Sequence, residues 1–127
     1  VGAIALGGGV HRLARQIGLK QAMGLILSGD IIDADAANKM GIITELVDHQ
    51  DLDATVDRWC EKLLRGAPLA LRASKQTVMY GLDEPSLFDA LGQQESYPAF
   101  KACYNSADRK EGARAFAEKR PPRWSGS

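Results

Sequence analysis

The chain has 127 residues, of which 45% are hydrophobic, and its 16 Lys or Arg balance 16 Asp or Glu, so the formal net charge is zero. This length suits one small domain with a core and excludes a large two-domain enzyme. No apolar run reaches the roughly 18 residues that a membrane-spanning helix needs, and no basic-then-apolar leader opens the sequence. We therefore expect a cytoplasmic protein without a membrane partner.

The charges are unevenly distributed along the chain. Residues 101–127 carry seven Lys or Arg and three Asp or Glu, a net charge of +4, whereas residues 1–100 carry nine and thirteen, a net charge of −4. Such an asymmetry favours either an anionic ligand for the basic tail or docking of the tail onto the body, within or between subunits. A solvated basic helix is the alternative that charge alone leaves open.

A glycine-rich turn precedes the first predicted helix. Residues 7–9 are all glycine, and residues 10–17 place their apolar side chains on one helical face. A glycine turn that leads into a helix exposes backbone N–H groups, which can hold an anion or polarise a carbonyl, although glycines also serve tight packing. The turn is not a phosphate-binding P-loop, because no Gly-Lys-Ser/Thr follows it.

Two more helices and a strand are predicted before residue 50. A second helix covers residues 19–27 and ends at Gly29. Asp33 has the position of an N-cap for a third helix, which Gly41 ends. Residues 42–47 are rich in β-branched side chains, and this composition predicts a short strand.

The middle of the chain predicts three further helices. An amphipathic helix over residues 52–65 directs its apolar side chains inward. Pro68 suits the first turn of the next helix, which runs to about Tyr80. Ser86 is expected to cap a helix that Pro98 interrupts and kinks, because proline lacks the backbone N–H that an interior helical position needs.

The most informative segment is residues 108–124, DRKEGARAFAEKRPPRW. Asp108 and Glu111 have the spacing of a capping box, so we expect the helix to begin at Asp108. Lys119 and Arg120 fall in the predicted last turn, where cations oppose the helix dipole, and the following pair of prolines is expected to end the helix. The segment thus predicts a capped helix that can present cations to an anionic partner.

No catalytic or metal-binding constellation is recognisable in the sequence. His11 and His49 are far apart and have no partners at metal-ligand spacing, and no serine lies in a nucleophile elbow. Cys60 and Cys103 also lack metal-ligand spacing, and we expect them to be reduced, half-buried packing residues. We therefore assign no catalytic residue, no metal, no cofactor and no nucleic-acid partner.

Four blocks of the sequence resemble, in order, the C-terminal half of the crotonase (enoyl-CoA hydratase/isomerase) superfamily. The resemblance implies the α/β ClpP/crotonase-like fold, of which this mostly α-helical chain would hold two parts. Residues 1–50 would be a remnant of the spiral core of ββα repeats, and residues 51–127 a helical region that mediates trimerisation. The four blocks are GGGVHRLARQIG, AMGLILSGDIIDADAANKMGIITELV, KQTVMYGLDEP and SADRKEGARAFAEKRPPRW.

The resemblance also implies a function and a limit to it. Family members bind acyl-CoA thioesters and assemble as trimers or dimers of trimers, and the hydratases add water to 2-enoyl-CoA with two glutamates and two oxyanion-stabilising N–H groups. Those groups lie in the family upstream of the place that matches Val1. We therefore expect a fragment of an enoyl-CoA hydratase or isomerase that has no activity by itself. The alternatives are a non-catalytic helical oligomerisation or interaction module, or a family isomerase, dehydratase or thioester hydrolase.

Four residues match ligand-contacting places of the family. Phe100 matches an aromatic residue near the adenine end of CoA, and Lys119 matches a lysine that approaches the nucleotide phosphates from a neighbouring subunit. Arg120 is expected to assist Lys119, as is Arg123. Leu6 and Gly7 match the substrate pocket, and Leu6 stands where hydratases have a glycine whose N–H helps to hold the reacting water.

Overall fold

The computed structural model describes residues 2–127, and the secondary structure of this part of the chain is helical. No strand forms within the described residues, and none of their helices is long and apolar enough to cross a membrane. Two 3-10 turns, His49–Asp51 and Gln94–Ser96, lie between the α-helices. The α-helices are α1 (Gly9–Gln16), α2 (Leu19–Ser28), α3 (Ala34–Lys39), α4 (Leu52–Leu64), α5 (Pro68–Gly81), α6 (Leu87–Gln93), α7 (Pro98–Tyr104) and α8 (Ala107–Ala117).

The chain divides into two compact units. The first ends at Leu52, and the second extends from Asp53 to Ser127. The first unit contains α1 to α3, and the second contains almost all of α4 together with α5 to α8. The roles given above to residues 1–50 and 51–127, as a core remnant and an oligomerisation region, stay predictions.

The caps predicted for the first unit are confirmed. Gly29 ends α2 with φ 69°, and its N–H donates to Leu25 O at 3.0 Å. The Asp33 carboxylate accepts a hydrogen bond from Ala36 N at 2.8 Å and so caps α3. Gly41, with φ 77°, ends α3 in the left-handed conformation that lets the following amides reach back to the last helical carbonyls.

The strand predicted for residues 42–47 is wrong. This segment forms bends and extended backbone without a ladder partner. A strand satisfies its N–H and C=O groups only by pairing with another strand, and residues 2–127 supply no second one. Branched side chains fit a pleated surface where a sheet exists, but they do not create one.

The second unit is built around the packing of α7 on α5. Gln76 Oε1 on α5 accepts a hydrogen bond from Ala99 N at 2.7 Å, which satisfies one of the free amides in the first turn of α7. The rings of Tyr80 and Tyr97 meet edge to face with centroids 5.2 Å apart. The prediction that Pro98 interrupts and kinks a continuous helix is wrong. Pro98 instead begins α7 at its first position, where a missing N–H costs nothing.

The start of α6 follows the predicted cap. Ser86 Oγ accepts a hydrogen bond from Asp89 N at 3.2 Å and donates one to the Asp89 carboxylate at 2.6 Å. These two bonds fix the first turn, so α6 begins at the next residue, Leu87.

The apolar face of α4 is exposed, contrary to the prediction that it points inward. Val56, Trp59, Cys60 and Leu63 are all solvent-accessible, whereas Cys103 is half-buried as expected. A 3.6-residue apolar period predicts which side chains share a face, but a second layer must be present to bury that face. Among the described residues, the buried apolar side chains are Ile17 and Ala22 in the first unit, and Ala73, Tyr97 and Ala115 in the second.

Ser106 caps α8, two residues before the predicted Asp108. Ser106 Oγ accepts a hydrogen bond from Arg109 N at 3.1 Å and donates one to Cys103 O at 2.7 Å. Asp108 therefore lies inside the first helical turn, and Glu111 does not reach back to the cap. The capping-box prediction failed because serine and aspartate are both good caps and the sequence offers one of each.

Helix α8 ends at Ala117, several residues before the proline pair that was predicted to stop it. Lys119 N donates to Phe116 O at 3.2 Å, and Arg120 N donates to Ala115 O at 3.0 Å. This pair of bonds is a Schellman motif, and it places Lys119 in the left-handed region with φ 52°, where glycine is the usual residue. The backbone of Lys119 therefore has a conformation that costs free energy for a residue with a Cβ.

Replacing Lys119 with glycine should stabilise the chain. Glycine adopts a positive φ without a Cβ clash, so Lys119→Gly is expected to raise the free energy of unfolding by up to about 1 kcal/mol in urea titration. Lys110→Gly is the matched control, because Lys110 is exposed inside α8, and there glycine should cost about 1 kcal/mol. Destabilisation of similar size by both substitutions would contradict the left-handed turn.

Candidate functional site

Asp108 binds the end of the chain to the first turn of α8. Its side chain is 2% exposed. Its carboxylate accepts hydrogen bonds from Ser125 N at 2.7 Å, Ser125 Oγ at 2.9 Å and Gly126 N at 2.9 Å. The backbone bond from Ser125 is the main cause of a lowered pKa for Asp108, and desolvation opposes it. Asp108 is therefore a charged structural residue that organises the backbone around it.

Glu111, one turn further along α8, binds a second part of the same segment. Its carboxylate accepts hydrogen bonds from Arg120 Nη1 at 2.6 Å and Nη2 at 3.0 Å, and from Arg123 N at 2.8 Å. These bonds, led by the one from the Arg120 side chain, lower the pKa of Glu111 to about 2. The pKa of Arg120 is raised by its bonds to Glu111 and Glu118. Such a two-pronged charged pair fixes orientation as well as distance.

Trp124 adds a third attachment. Its indole Nε1 donates to Arg65 O at 2.8 Å, just beyond the end of α4, where a backbone carbonyl lacks a helical partner. The ring lies against Gly112, where an added Cβ would come within 3.4 Å of it. Residues 118–127, which we call the C-terminal strap, are thus held along α8 by two carboxylates and one indole.

Lys119 is one of two strap cations, with Arg123, that are not paired with a carboxylate within residues 2–127. Its side chain is exposed, and no hydrogen bond or ion pair ties it to another side chain within residues 2–127. Arg120, which the sequence predicted as an assistant, is instead occupied by Glu111 and by Glu118, whose carboxylate lies 2.6 Å from Arg120 Nε. The structure therefore separates two adjacent cations into one that supports the turn and one that projects from it.

Phe100, the second predicted CoA contact, belongs to an aromatic stack. It is half-buried, and its ring lies nearly parallel to that of Tyr104, with centroids 6.3 Å apart. The Arg109 guanidinium covers the Tyr104 ring at 3.8 Å and donates to Tyr104 O at 3.1 Å. The sequence analysis missed Tyr104 and Arg109, although the four-residue spacing of the two aromatics on one helix predicts that their rings meet.

The aromatic stack lines a cleft of about 540 Å³ between α5 and α7. Lys119 is not among the residues that line this cleft, so the structure does not bring the two predicted CoA contacts together in one cavity. Arg109 also lines the cleft, and the other lining residues are small or of medium size: Ala70, Ala73, Ser74, Thr77, Val78 and Cys103.

Leu6 and Gly7 lie in the turn that precedes α1. Leu6 is 85% exposed. Gly7 has φ 76°, and a Cβ added to it would meet nothing within 4 Å, so glycine is required there by the backbone angle and not by space. An apolar cavity of this unit is lined by residues 2–5 and by side chains of α1 and α2, and Leu6 and Gly7 are not part of its wall. Their role in a substrate pocket stays a prediction.

The two carboxylates of α8 are not arranged for proton transfer. The lowered pKa values of Asp108 and Glu111 keep both groups ionised near neutral pH, and hydrogen bonds occupy their oxygens. Among residues 2–127 no three His, Cys, Asp or Glu side chains are grouped so that they could hold a metal ion. The strap presents the exposed ammonium of Lys119 to solvent.

Comparison with known proteins gives a consistent family assignment. A family model described as enoyl-CoA hydratase/isomerase matches residues 1–127. The short-chain-enoyl-CoA hydratase of Clostridium acetobutylicum is 33% identical over 113 residues, which are 89% of this chain and 42% of that protein. The mitochondrial methylglutaconyl-CoA hydratase of Homo sapiens is 35% identical over 128 residues, covering 94% of this chain and 36% of that protein.

Solved structures agree with this assignment. The enoyl-CoA hydratase EchA1 from Mycobacterium marinum is 38% identical with a TM-score of 0.86, and the match covers 99% of this chain and 49% of that one. The enoyl-CoA hydratase from Bacillus anthracis is 32% identical with a TM-score of 0.89, with 99% and 48% covered. The chain therefore spans less than half the length of each of these relatives. Its correspondence to their C-terminal half stays a prediction from the order of the motifs.

Acid should loosen the C-terminal strap. Because the pKa of Glu111 is lowered from 4.5 to about 2, its contribution to the free energy of unfolding is complete above pH 4.5 and is lost as the pH falls towards 2. Asp108 acts with the same sign. Urea titration between these pH values should show a smaller loss of stability for Glu111→Gln than for wild type, because that variant has no carboxylate to protonate there.

The exposed Glu61 of α4 provides the matched control for this measurement. Glu61→Gln should keep the wild-type dependence on pH. Equal slopes for Glu111→Gln and wild type would show that the bond to Arg120 does not stabilise the ionised form.

Proposed function

Because the chain belongs to the enoyl-CoA hydratase/isomerase family, we propose that it forms part of an acyl-CoA hydratase, in which it contacts the nucleotide end of CoA. The relatives described above are hydratases named for CoA thioesters, including a short-chain enoyl-CoA hydratase. The reaction we propose for the whole protein is the addition of water to a 2-enoyl-CoA. The acid–base pair and the oxyanion donors of that reaction would lie in the part of the longer relatives that this chain does not cover.

The observation that carries the proposal is the state of Lys119. The nucleotide end of CoA carries a 3′-phosphate and a diphosphate, which require a cation that is exposed and not already neutralised. Arg120 is tied to Glu111 and Glu118, and it offsets the two nearest carboxylates of the strap. Lys119, between Glu118 and Arg120 in the sequence, is thus left with an exposed positive charge for a phosphate.

Phe100 supports the same proposal from the aromatic stack. An adenine ring presents a flat face, and stacking of a base on an aromatic side chain is worth about 1–3 kcal/mol. Phe100 is already held parallel to Tyr104, so its ring would lose little freedom on binding. We propose Phe100 as the contact for the adenine of CoA. At the acyl end, we propose that the turn at Leu6 and Gly7 contributes to the substrate pocket.

We also propose that the chain self-associates. Phe88 on α6 is 88% exposed, and Phe116 on α8 is 87% exposed. Large apolar side chains that remain in water favour association, since burying one is worth about 1.5–3 kcal/mol. A neighbouring copy would also bring a second strap close to the CoA site, as the family resemblance implies.

Removing the Lys119 ammonium should weaken CoA binding. Loss of a charge-assisted bond to phosphate corresponds to about tenfold in Kd, so isothermal titration of CoA should show that change for Lys119→Ala. Lys110→Ala, an exposed lysine of α8, removes the same charge elsewhere and should bind CoA as wild type does. Pantetheine, which lacks the nucleotide phosphates, should not distinguish the variants. Equal CoA affinities for wild type and Lys119→Ala would remove Lys119 from the site.

Sedimentation equilibrium tests self-association. The wild-type chain should form oligomers, and Phe88→Ser should lower the association constant while leaving the helical circular-dichroism signal unchanged. A wild-type chain that sediments as a single monomeric species would refute the proposal. Self-association without any CoA binding would instead favour the non-catalytic oligomerisation module.

A further inference from the structure

We infer that Glu111 is a positioning residue for Lys119. By holding Arg120 and the backbone of Arg123, its carboxylate fixes the turn from which the Lys119 ammonium meets a phosphate. This inference rests on the proposed contact between Lys119 and CoA. It adds a residue that does not touch the ligand and acts through the order that it gives to the strap.

The hydrogen bonds around Lys119 converge on Glu111. Arg120 donates two bonds from its guanidinium to the Glu111 carboxylate, at 2.6 and 3.0 Å, and a third from Nε to Glu118 at 2.6 Å. Arg123 N donates to Glu111 at 2.8 Å. Lys119 thus lies between two residues whose side chains are joined to each other, and the segment that follows is bound to the same carboxylate.

The backbone at Lys119 depends on such support. A non-glycine residue with φ 52° persists when the surrounding structure holds it there. The two Schellman bonds hold the amides of Lys119 and Arg120, and the bonds from Arg120 to Glu111 hold the side chain that follows the turn. Without Glu111, the turn would keep its amide bonds but lose the contacts that fix its exit direction.

The charge of Arg120 provides an alternative role for Glu111, which predicts the opposite change in anion affinity. In the wild-type chain Glu111 and Glu118 both occupy Arg120. If Glu111 served only to neutralise this guanidinium, its removal would free a second cation next to Lys119, and an anion would bind more tightly. A positioning role predicts weaker binding, because Lys119 would have to be ordered when the ligand arrives.

A double-mutant cycle with CoA as the probe separates these roles. Isothermal titration compares wild type, Glu111→Gln, Lys119→Ala and the double variant, all as the full 127-residue chain. We expect Glu111→Gln to raise the Kd for CoA about threefold in the presence of Lys119 and to have no further effect in the Lys119→Ala background. Glu61→Gln, the same chemical change on α4, should leave the Kd unchanged.

Each outcome of the cycle has a distinct meaning. Wild-type affinity or tighter binding for Glu111→Gln, with Lys119→Ala weakened, would overturn the inference and leave the proposed function intact. An equal loss from Glu111→Gln in both backgrounds would also overturn it, because the effect would not pass through Lys119. Unchanged affinity in Lys119→Ala would remove the proposed contact itself, and the inference with it.

Backbone amide exchange supplies a readout without ligand. Glu111→Gln should speed the exchange of the Arg123 amide, which donates to the Glu111 carboxylate, while the amides inside α5 keep their wild-type rates. If Glu111→Gln fails to fold, Arg120→Gln breaks the same pair from the other side and should give the same threefold loss and the same dependence on Lys119. Global unfolding of both variants would overturn the inference, since Glu111 would then support the whole fold and not one turn.

Discussion

Two buried or half-buried carboxylates on α8 hold the C-terminal strap, and the candidate site depends on them. Asp108 accepts three hydrogen bonds from Ser125 and Gly126, and Glu111 accepts three from Arg120 and Arg123. The strap has no regular secondary structure beyond the end of α8, so these bonds satisfy backbone amides that would otherwise require water. Through its bonds to Arg120, Glu111 also supports the left-handed turn at Lys119.

This arrangement separates the positive charge of the tail by role. A basic segment with a net charge of +4 suggests a diffuse attraction for anions, but the structure gives its cations different tasks. Arg120 is part of a carboxylate network, Arg109 covers the Tyr104 ring, and Lys119 projects into solvent. Lys119 is thus one of the exposed cations of the tail, and it lies in a turn next to the Arg120–Glu111 pair.

Much of the apolar surface of the described residues is exposed to water. The described residues bury few large side chains, while long apolar faces on α4 and α6 remain in water. Such faces are typical of helices whose packing partners lie in other chain segments or subunits. This chain spans less than half the length of these relatives, which is consistent with such a surface. The same exposure underlies the proposed self-association.

The sequence by itself determined the elements whose signals are local. Gly29, Asp33, Ser86 and Gly41 act as predicted, because a cap needs only its own turn, and the motif order identified the family. Only the tertiary structure decided which of two adjacent caps begins α8, whether residues 42–47 have a strand partner, and which cation of the EKR motif remains available. Each of these depends on groups distant in the sequence. The Asp108 carboxylate accepts a hydrogen bond from Ser125, and the Arg120 guanidinium pairs with Glu111. Spacing along a chain cannot reveal such competition, because it is settled by the three-dimensional positions of the competing partners.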